Sequence, residues 1–273
     1  MMVLALAFVL CWPFHAAGYS YIPIYIGDSH GGTFPFIVRE FPAGASCTFL
    51  LFDAHDDATA IYRSDTTRKA LRISESDGTR DRLLDDWRRC GFIQCYNWLE
   101  PLMPERITRV VWVAGEQLDP KRIAELTETA HGRLDAFEEV EPRACGSLKS
   151  CLRVTDLNGL SGEPWLKRGA GNVIVSIDLD FFAGVPDDRL ADSFRRVWKT
   201  VLRMPDLCAV SFAISTPWQS DIAHAERLTC MALEAAASVS NARITFEPFG
   251  DIGPDRSNRA KDLAYAGRTP PRL

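Results

Sequence analysis

Two acidic strings, far apart in the chain, hold the residues best suited to chemistry: Asp53-Ala54-His55-Asp56-Asp57 and Ser176-Ile177-Asp178-Leu179-Asp180. At an extended strand end, residues two apart point the same way, so Asp53, His55 and Asp57 share one side and Asp178 aligns with Asp180. A third string, Gly27-Asp28-Ser29-His30-Gly31-Gly32, offers an imidazole beside glycines that would let the backbone turn tightly. Carboxylates crowded around one point in a low-dielectric cleft repel one another by roughly several kcal/mol unless a metal ion or protonation offsets the charge. Four Asp (53, 57, 178 and 180) and two His (30 and 55) form an oxygen and nitrogen set without thiolates. Such a set suits two Mn²⁺ ions, or Fe²⁺ or Zn²⁺, better than a structural zinc. Two metals held about 3.5 Å apart can activate one water against an electrophilic carbon. Plainer readings stand beside these. His30 could be a turn residue, Asp28 could orient His30 or merely cap a turn, and aspartates commonly cap helices.

The elements that must position these residues are legible as short apolar runs alternating with helical stretches, the pattern of a largely parallel sheet. Expected strands are Ile22–Ile26, Cys47–Phe52, Val110–Ala114, Val173–Ile177, Ala209–Ile214 and Ile244–Phe246. Expected helices cover Asp81–Arg89, Pro120–Thr129, Asp187–Arg203 and Gln219–Val239, with His224 on a solvated helix face and His131 in a loop. All three chemical strings follow such a strand, and open α/β sheets place ligands beyond the carboxyl ends of their strands. Residues 138–167 turn polar and read as an excursion between strands.

The 273 residues, 47% hydrophobic and 25% charged, suffice for one sizeable globular domain, here residues 21–253, followed by a poorly ordered tail at 254–273. Net charge is −5 and the basic residues are dispersed, which excludes a nucleic-acid footprint and leaves room for a homo-oligomer. Eight cysteines without a C-x-x-C pair read as reduced thiols, although Cys145 and Cys151 could pair in an oxidising compartment. Residues 1–20 form an apolar extension. Its first 17 residues could be a secretory signal, but no Lys or Arg precedes the apolar run, and the run is too short to span a bilayer. A cytoplasmic protein without stable membrane insertion is the expectation, with that segment as the alternative.

The order Asp-x-His-x-Asp then Ser-x-Asp-x-Asp resembles the metal signature of the arginase and agmatinase (ureohydrolase) fold, shared more loosely by histone deacetylases. The fuller wording is similar to the peptide arginases: Asp28-Ser29-His30 with Pro35-Phe36-Ile37, Phe52 to Asp57, Asn97-Trp98, and Ser176 to Phe182. Members of that branch remove urea from arginine side chains in peptides and leave ornithine. The resemblance implies a three-layer α/β/α sandwich around a mainly parallel sheet. It also implies one manganese held by His30, Asp53, Asp57 and Asp178, and a second held by His55, Asp53, Asp178 and Asp180. Asp53 and Asp178 would bridge.

The chain departs from the ureohydrolases in three places. Phe181-Phe182-Ala183-Gly184 stands where they carry a third Asp and a Pro; Ala213-Ile214-Ser215-Thr216-Pro217 lacks their guanidinium-binding Glu; and no shuttle His lies between Thr59 and Gly91. A guanidinium wants a planar carboxylate partner, for which Glu247 ranks first and Glu100 second. Asp57, Asp178 and Glu247 are the expected catalytic groups, and Asn97, Trp98, Ser215 and Glu247 the expected substrate contacts. The function expected is binuclear-metal hydrolysis of the guanidino group of a peptide or small guanidino substrate. The alternatives are an amide hydrolase or deacetylase with the same metals, and a non-catalytic metal-binding interaction protein.

Overall fold

The structure is a computed structural model that describes residues 21–138, 140, 143–169 and 171–247. The expected extension or signal at 1–20, the end of the domain at 248–253, the tail at 254–273, and Glu139, Glu141 and Pro142 lie outside the described residues.

Seven strands form one all-parallel sheet: β1 (Ile22–Gly27), β2 (Cys47–Phe52), β3 (Ile107–Val113), β4 (Leu152–Thr155), β5 (Val173–Asp178), β6 (Leu207–Ala213) and β7 (Ala242–Phe246), in the order β4-β3-β2-β5-β6-β1-β7. Helices cover both faces and make a three-layer α/β/α sandwich. Helices α1 (His30–Glu40), α2 (Ser64–Asp77), α3 (Arg80–Arg89) and α4 (Pro120–Leu134) pack on one face, through Phe34, Ile37, Leu71, Leu84 and Leu134 against Phe49, Leu51 and Val110. On the other face, α5 (Asp187–Val201) and α6 (Ile222–Ala237) bury Phe194, Val197, Leu228 and Ala232 against Ile24, Val175 and Phe212. β1, β2, β5 and β6 are buried throughout, as strands covered on both faces must be.

The topology dictates where a ligand can sit. From β2 the chain moves outward to β3 and β4, with α2 on the first face; from β5 it moves the other way to β6, with α5 on the second. The connections leaving β2 and β5 therefore part on opposite sides of the sheet, and a crevice opens between the two strand ends. Asp53 and Asp178 stand at those ends.

The structure differs from the sequence reading in several elements. Residues 30–40 are a helix rather than a turn, and Gly27, Gly31 and Gly32 do not have positive φ. The glycines serve close approach instead: a Cβ at Gly27 or Gly32 would lie 2.2 or 1.8 Å from the Tyr25 hydroxyl. Pro35 sits inside α1, whose residues 32–38 are all buried, so packing on the sheet outweighs one missing N–H. Helix α2 shows no apolar stripe because its inward face is carried largely by Arg68, which is 2% exposed and bonded to Ser64, Asp65, Glu100 and the Met103 carbonyl. The polar excursion contains an edge strand, β4, and His131 belongs to the last turn of α4. Helix α6 begins at Ile222 because the Asp221 side chain accepts from the His224 amide as an N-cap. The seven described cysteines, Cys145 and Cys151 among them, are free thiols, and no described helix is long and apolar enough to cross a membrane.

Candidate metal centre

His30, Asp53, His55, Asp57, Asp178 and Asp180 meet at one end of the sheet. Alternation puts Asp53, Ser176 and Asp178 on the α1 face, since Phe52 and Ile177 point into the opposite core. His30 is the first residue of α1 and lies over them. Its Nδ1 is 2.5 Å from Asp57 Oδ2, 3.1 Å from Asp53 Oδ2 and 3.4 Å from Asp178 Oδ2. A second group forms around His55, whose Nδ1 is 3.0 Å from Asp180 Oδ2 and 3.5 Å from Asp53 Oδ1. Asp53 thus turns one oxygen toward each imidazole.

This geometry fits a metal ion. The ligand atoms of His30, Asp53 and Asp178 lie within 4.8 Å of one another, as do those of Asp53, His55 and Asp180. Asp53 Oδ2 and Asp180 Oδ2 are buried and accept no well-aligned hydrogen bond, their nearest polar neighbours being the Nδ1 atoms of His30 and His55 at 3.1 and 3.0 Å, which leaves acceptor capacity that a cation can satisfy. No described ion pair joins a Lys or Arg to Asp53, Asp57, Asp178 or Asp180. At about 4 Å, like charges repel by roughly 4 kcal/mol even at an effective dielectric of about 20, more than one neutral hydrogen bond returns. Asp57 meets the set through His30 only.

Protonation equilibria report the same tension. Burial, then Asp57 and Asp180, push the Asp53 carboxyl up to about 7. Burial, then Asp180 and Asp53, raise Asp178 well above the usual carboxylate range. Burial alone would lower His30, but the carboxylates of Asp57 and Asp178 overcome it and carry the imidazole well above its ordinary value. The carboxylates of Asp180 and Asp53 beside its ring raise His55 to about 11. The metal-free cluster retains protons where a divalent cation would displace them.

A surrounding shell holds the ligands in place. His30 Nε2 is 3.0 Å from Ser176 Oγ, which accepts from Ser211 Oγ at 2.7 Å. With Nε2–H donating to Ser176, Nδ1 presents its lone pair to the carboxylate side, the tautomer a metal requires. The Trp98 indole N–H donates to Asp57 Oδ2 at 2.6 Å, and its ring lies 5.2 Å from that of His30. The Ser215 hydroxyl donates to Asp178 Oδ2 at 2.6 Å. The sequence reading missed the roles of Ser176 and Ser211. Their one signal is the period-2 alternation that puts Ser176 on the same side as Asp178, with Ser211 beside it in register on β6.

The expected substrate contacts lie elsewhere. Trp98 is fully buried and Ser215 is 4% exposed, so both buttress ligands instead of lining a pocket. The side-chain amide of Asn97 accepts from the Gln94 N–H and donates to the Phe92 carbonyl, bracing its own loop. Glu247, at the end of β7, accepts a two-pronged pair of bonds from Arg88 (2.8 and 3.2 Å) and a third from the Tyr25 hydroxyl at 2.7 Å. Burial would raise its pKa, but Arg88 and Tyr25 bring it below the ordinary value. Glu247 makes no described contact with the six ligands. Glu100 is fully buried against Arg68 and Arg143. Asp28 accepts from Thr216 Oγ1 and does not bond His30. His224 is not on a solvated face: it is 2% exposed, with Nδ1 3.3 Å from Asp187.

Searches against protein-family models, curated proteins and solved structures give no match to this chain.

Proposed function

We propose that this chain is a binuclear-metal hydrolase of the arginase type, acting on the guanidino group of arginine within a peptide, to give ornithine and urea. One observation carries the reading: Asp53, fully buried, presents Oδ2 to His30 and Oδ1 to His55, a carboxylate placed to be shared by two cations. One ion would be held by His30, Asp53, Asp57 and Asp178, the other by His55, Asp53, Asp178 and Asp180; manganese suits the set, with iron or zinc as substitutes. A bound pair of divalent ions would supply an activated water near neutral pH. The chain's own part is to orient and to exclude. Ser176 Oγ, 3.0 Å from His30 Nε2, would hold that imidazole with Nδ1 toward the ions, Trp98 and Ser215 anchor Asp57 and Asp178, and among the described residues of the cluster only His55 is open to solvent.

The test is to load the purified protein with Mn²⁺ and incubate it with arginine-containing peptides. Hydrolysis of the guanidino group converts it to an amine with a mass loss of about 42 Da, together with release of urea. Peptides that stay unchanged across varied contexts would remove the arginase reading. A second reading, amide hydrolysis or deacylation by the same metals, is favoured by one specific observation: both Glu candidates for holding a guanidinium are already taken by Arg88, Arg68 and Arg143. Release of acetate from acyl-lysine peptides separates the two.

A further inference from the structure

Access to the candidate metal centre is one-sided. The side chains of His30, Asp53, Asp57, Asp178 and Asp180 are at most 7% exposed, whereas His55 is 48% exposed. Whatever reaches the cluster passes His55. Beside it stands Trp218, 38% exposed, with its indole centroid 5.4 Å from the imidazole and tilted by 56°.

The turn that carries Trp218 is tied to the site by hydrogen bonds. It closes the 3-10 turn Thr216–Trp218, its amide donates to the Ser215 carbonyl at 2.9 Å, and Ser215 reaches Asp178 through its hydroxyl. The same turn is pinned to β1, because the Ser215 amide donates to the Asp28 carbonyl and Thr216 Oγ1 to the Asp28 carboxylate. An aromatic more than a third exposed, on a turn whose Ser215 bonds the candidate ligand Asp178, gives a substrate a preorganised surface at little entropic cost. The glutamates expected to recognise a guanidinium are engaged elsewhere. An indole face attracts planar cations, Arg guanidinium in particular, by cation–π contact.

We infer that Trp218 is the specificity-determining residue of the site: its indole takes the planar cationic end of the substrate side chain and presents it beside His55. This rests on the guanidino-hydrolase reading for its catalytic consequence, though not for the binding itself. The experiment compares wild type, Trp218→Leu and Trp218→Tyr, all as Mn²⁺-loaded full-length chains, with circular dichroism to confirm folding. On an arginine peptide, Trp218→Leu should raise KM roughly tenfold with kcat within about twofold, and Trp218→Tyr should restore most of the loss. If wild type turns nothing over, the hydrolase reading fails, and calorimetric titration still decides the inference. Wild type should then bind the arginine peptide roughly tenfold tighter than its neutral citrulline counterpart, and Trp218→Leu should abolish that preference. Unchanged KM in the Leu variant, no binding by wild type, or equal weakening of arginine and citrulline peptides would each overturn it. If Trp218→Leu does not fold, Trp218→Tyr read against Trp218→Gln serves the same comparison.

Discussion

The hydroxyl of Ser215 and the Oδ2 of Asp178 are 2.6 Å apart, joining the connection after β6 to the end of β5. Ser215 holds φ at 50°, a left-handed conformation that costs a serine something and that glycine adopts freely. The hydroxyl is therefore placed at the expense of local backbone comfort, and its recipient is a proposed bridging ligand.

Ser215→Gly keeps the backbone and deletes the bond. Removing a group that orients a metal ligand typically costs about 10 to 100-fold in affinity, and that range is expected for Mn²⁺ here with the fold unchanged. Titration of metal-stripped protein measures it. Wild-type affinity in the variant would detach Ser215 from the metal centre.

Asp53→Asn preserves shape and removes the carboxylate that faces both imidazoles. At about pH 8, above the folded Asp53 value, the metal-free variant should melt at a higher temperature than metal-free wild type, because an ionised Asp53 no longer faces Asp57 and Asp180. Added Mn²⁺ should no longer raise the melting temperature, as ligand linkage requires when the site is lost. A metal-induced shift equal to that of wild type contradicts the assignment of Asp53.

Gly32→Ala places a Cβ 1.8 Å from the Tyr25 hydroxyl, which is itself bonded to Glu247. Either α1 or Tyr25 must move, at a cost of about 1–3 kcal/mol for overpacking. Since α1 begins with His30, metal affinity should fall together with stability. Denaturant melts and metal titration on one preparation check both, and a variant as stable as wild type would show that the close approach is dispensable.

Metal-free protein should lose stability as pH rises. The folded Asp53 carboxyl titrates at about 7 against an ordinary 3.8, so between those values the native state holds a proton that the unfolded chain has released. His55, at about 11 against 6.5, and His30, also raised, act in the same direction. Their stabilisation is complete below 6.5 and disappears as pH passes the folded value. Saturating Mn²⁺ should flatten or reverse the slope, since the metal takes the place of the protons. Melting temperatures from about pH 4 to 8, with and without metal, decide this; a metal-free curve that rises over that span contradicts the protonated cluster.

Much of the candidate site was legible from local pattern. Cys47–Phe52 and Val173–Ile177 are strand-forming runs whose ends carry the acids. The extended alternation expected beyond them does not hold: the chain bends at Ala54 and His55, Asp57 has a φ of 51°, and Asp180 lies in the 3-10 turn Leu179–Phe182 capped by Asp178, so tight turns bring these side chains together. The parallel sheet follows from the succession of short apolar runs and helical stretches, and the three-layer arrangement is the one the family resemblance implied. Helix α1 was hidden because Gly31, Gly32 and Pro35 are locally poor helix residues, and only burial against the sheet holds them helical. Helix α2 was hidden because an ion-paired Arg68 takes the place of an apolar stripe.

The sequence by itself determined which residues end the strands and that Ser176 and Asp178 share one side of β5, since backbone geometry sets both within a few residues. Only the tertiary structure decided what each of those side chains meets. Glu247 is bonded by Arg88, 159 positions away, and Trp98 and Ser215 donate to Asp57 and Asp178. Trp218 comes to stand beside His55 in the same way. Such pairings depend on how β1, β2, β5 and β6 are ordered in the sheet and on which face each helix packs. No local run of residues encodes that arrangement, because it is fixed by burial summed over the whole core.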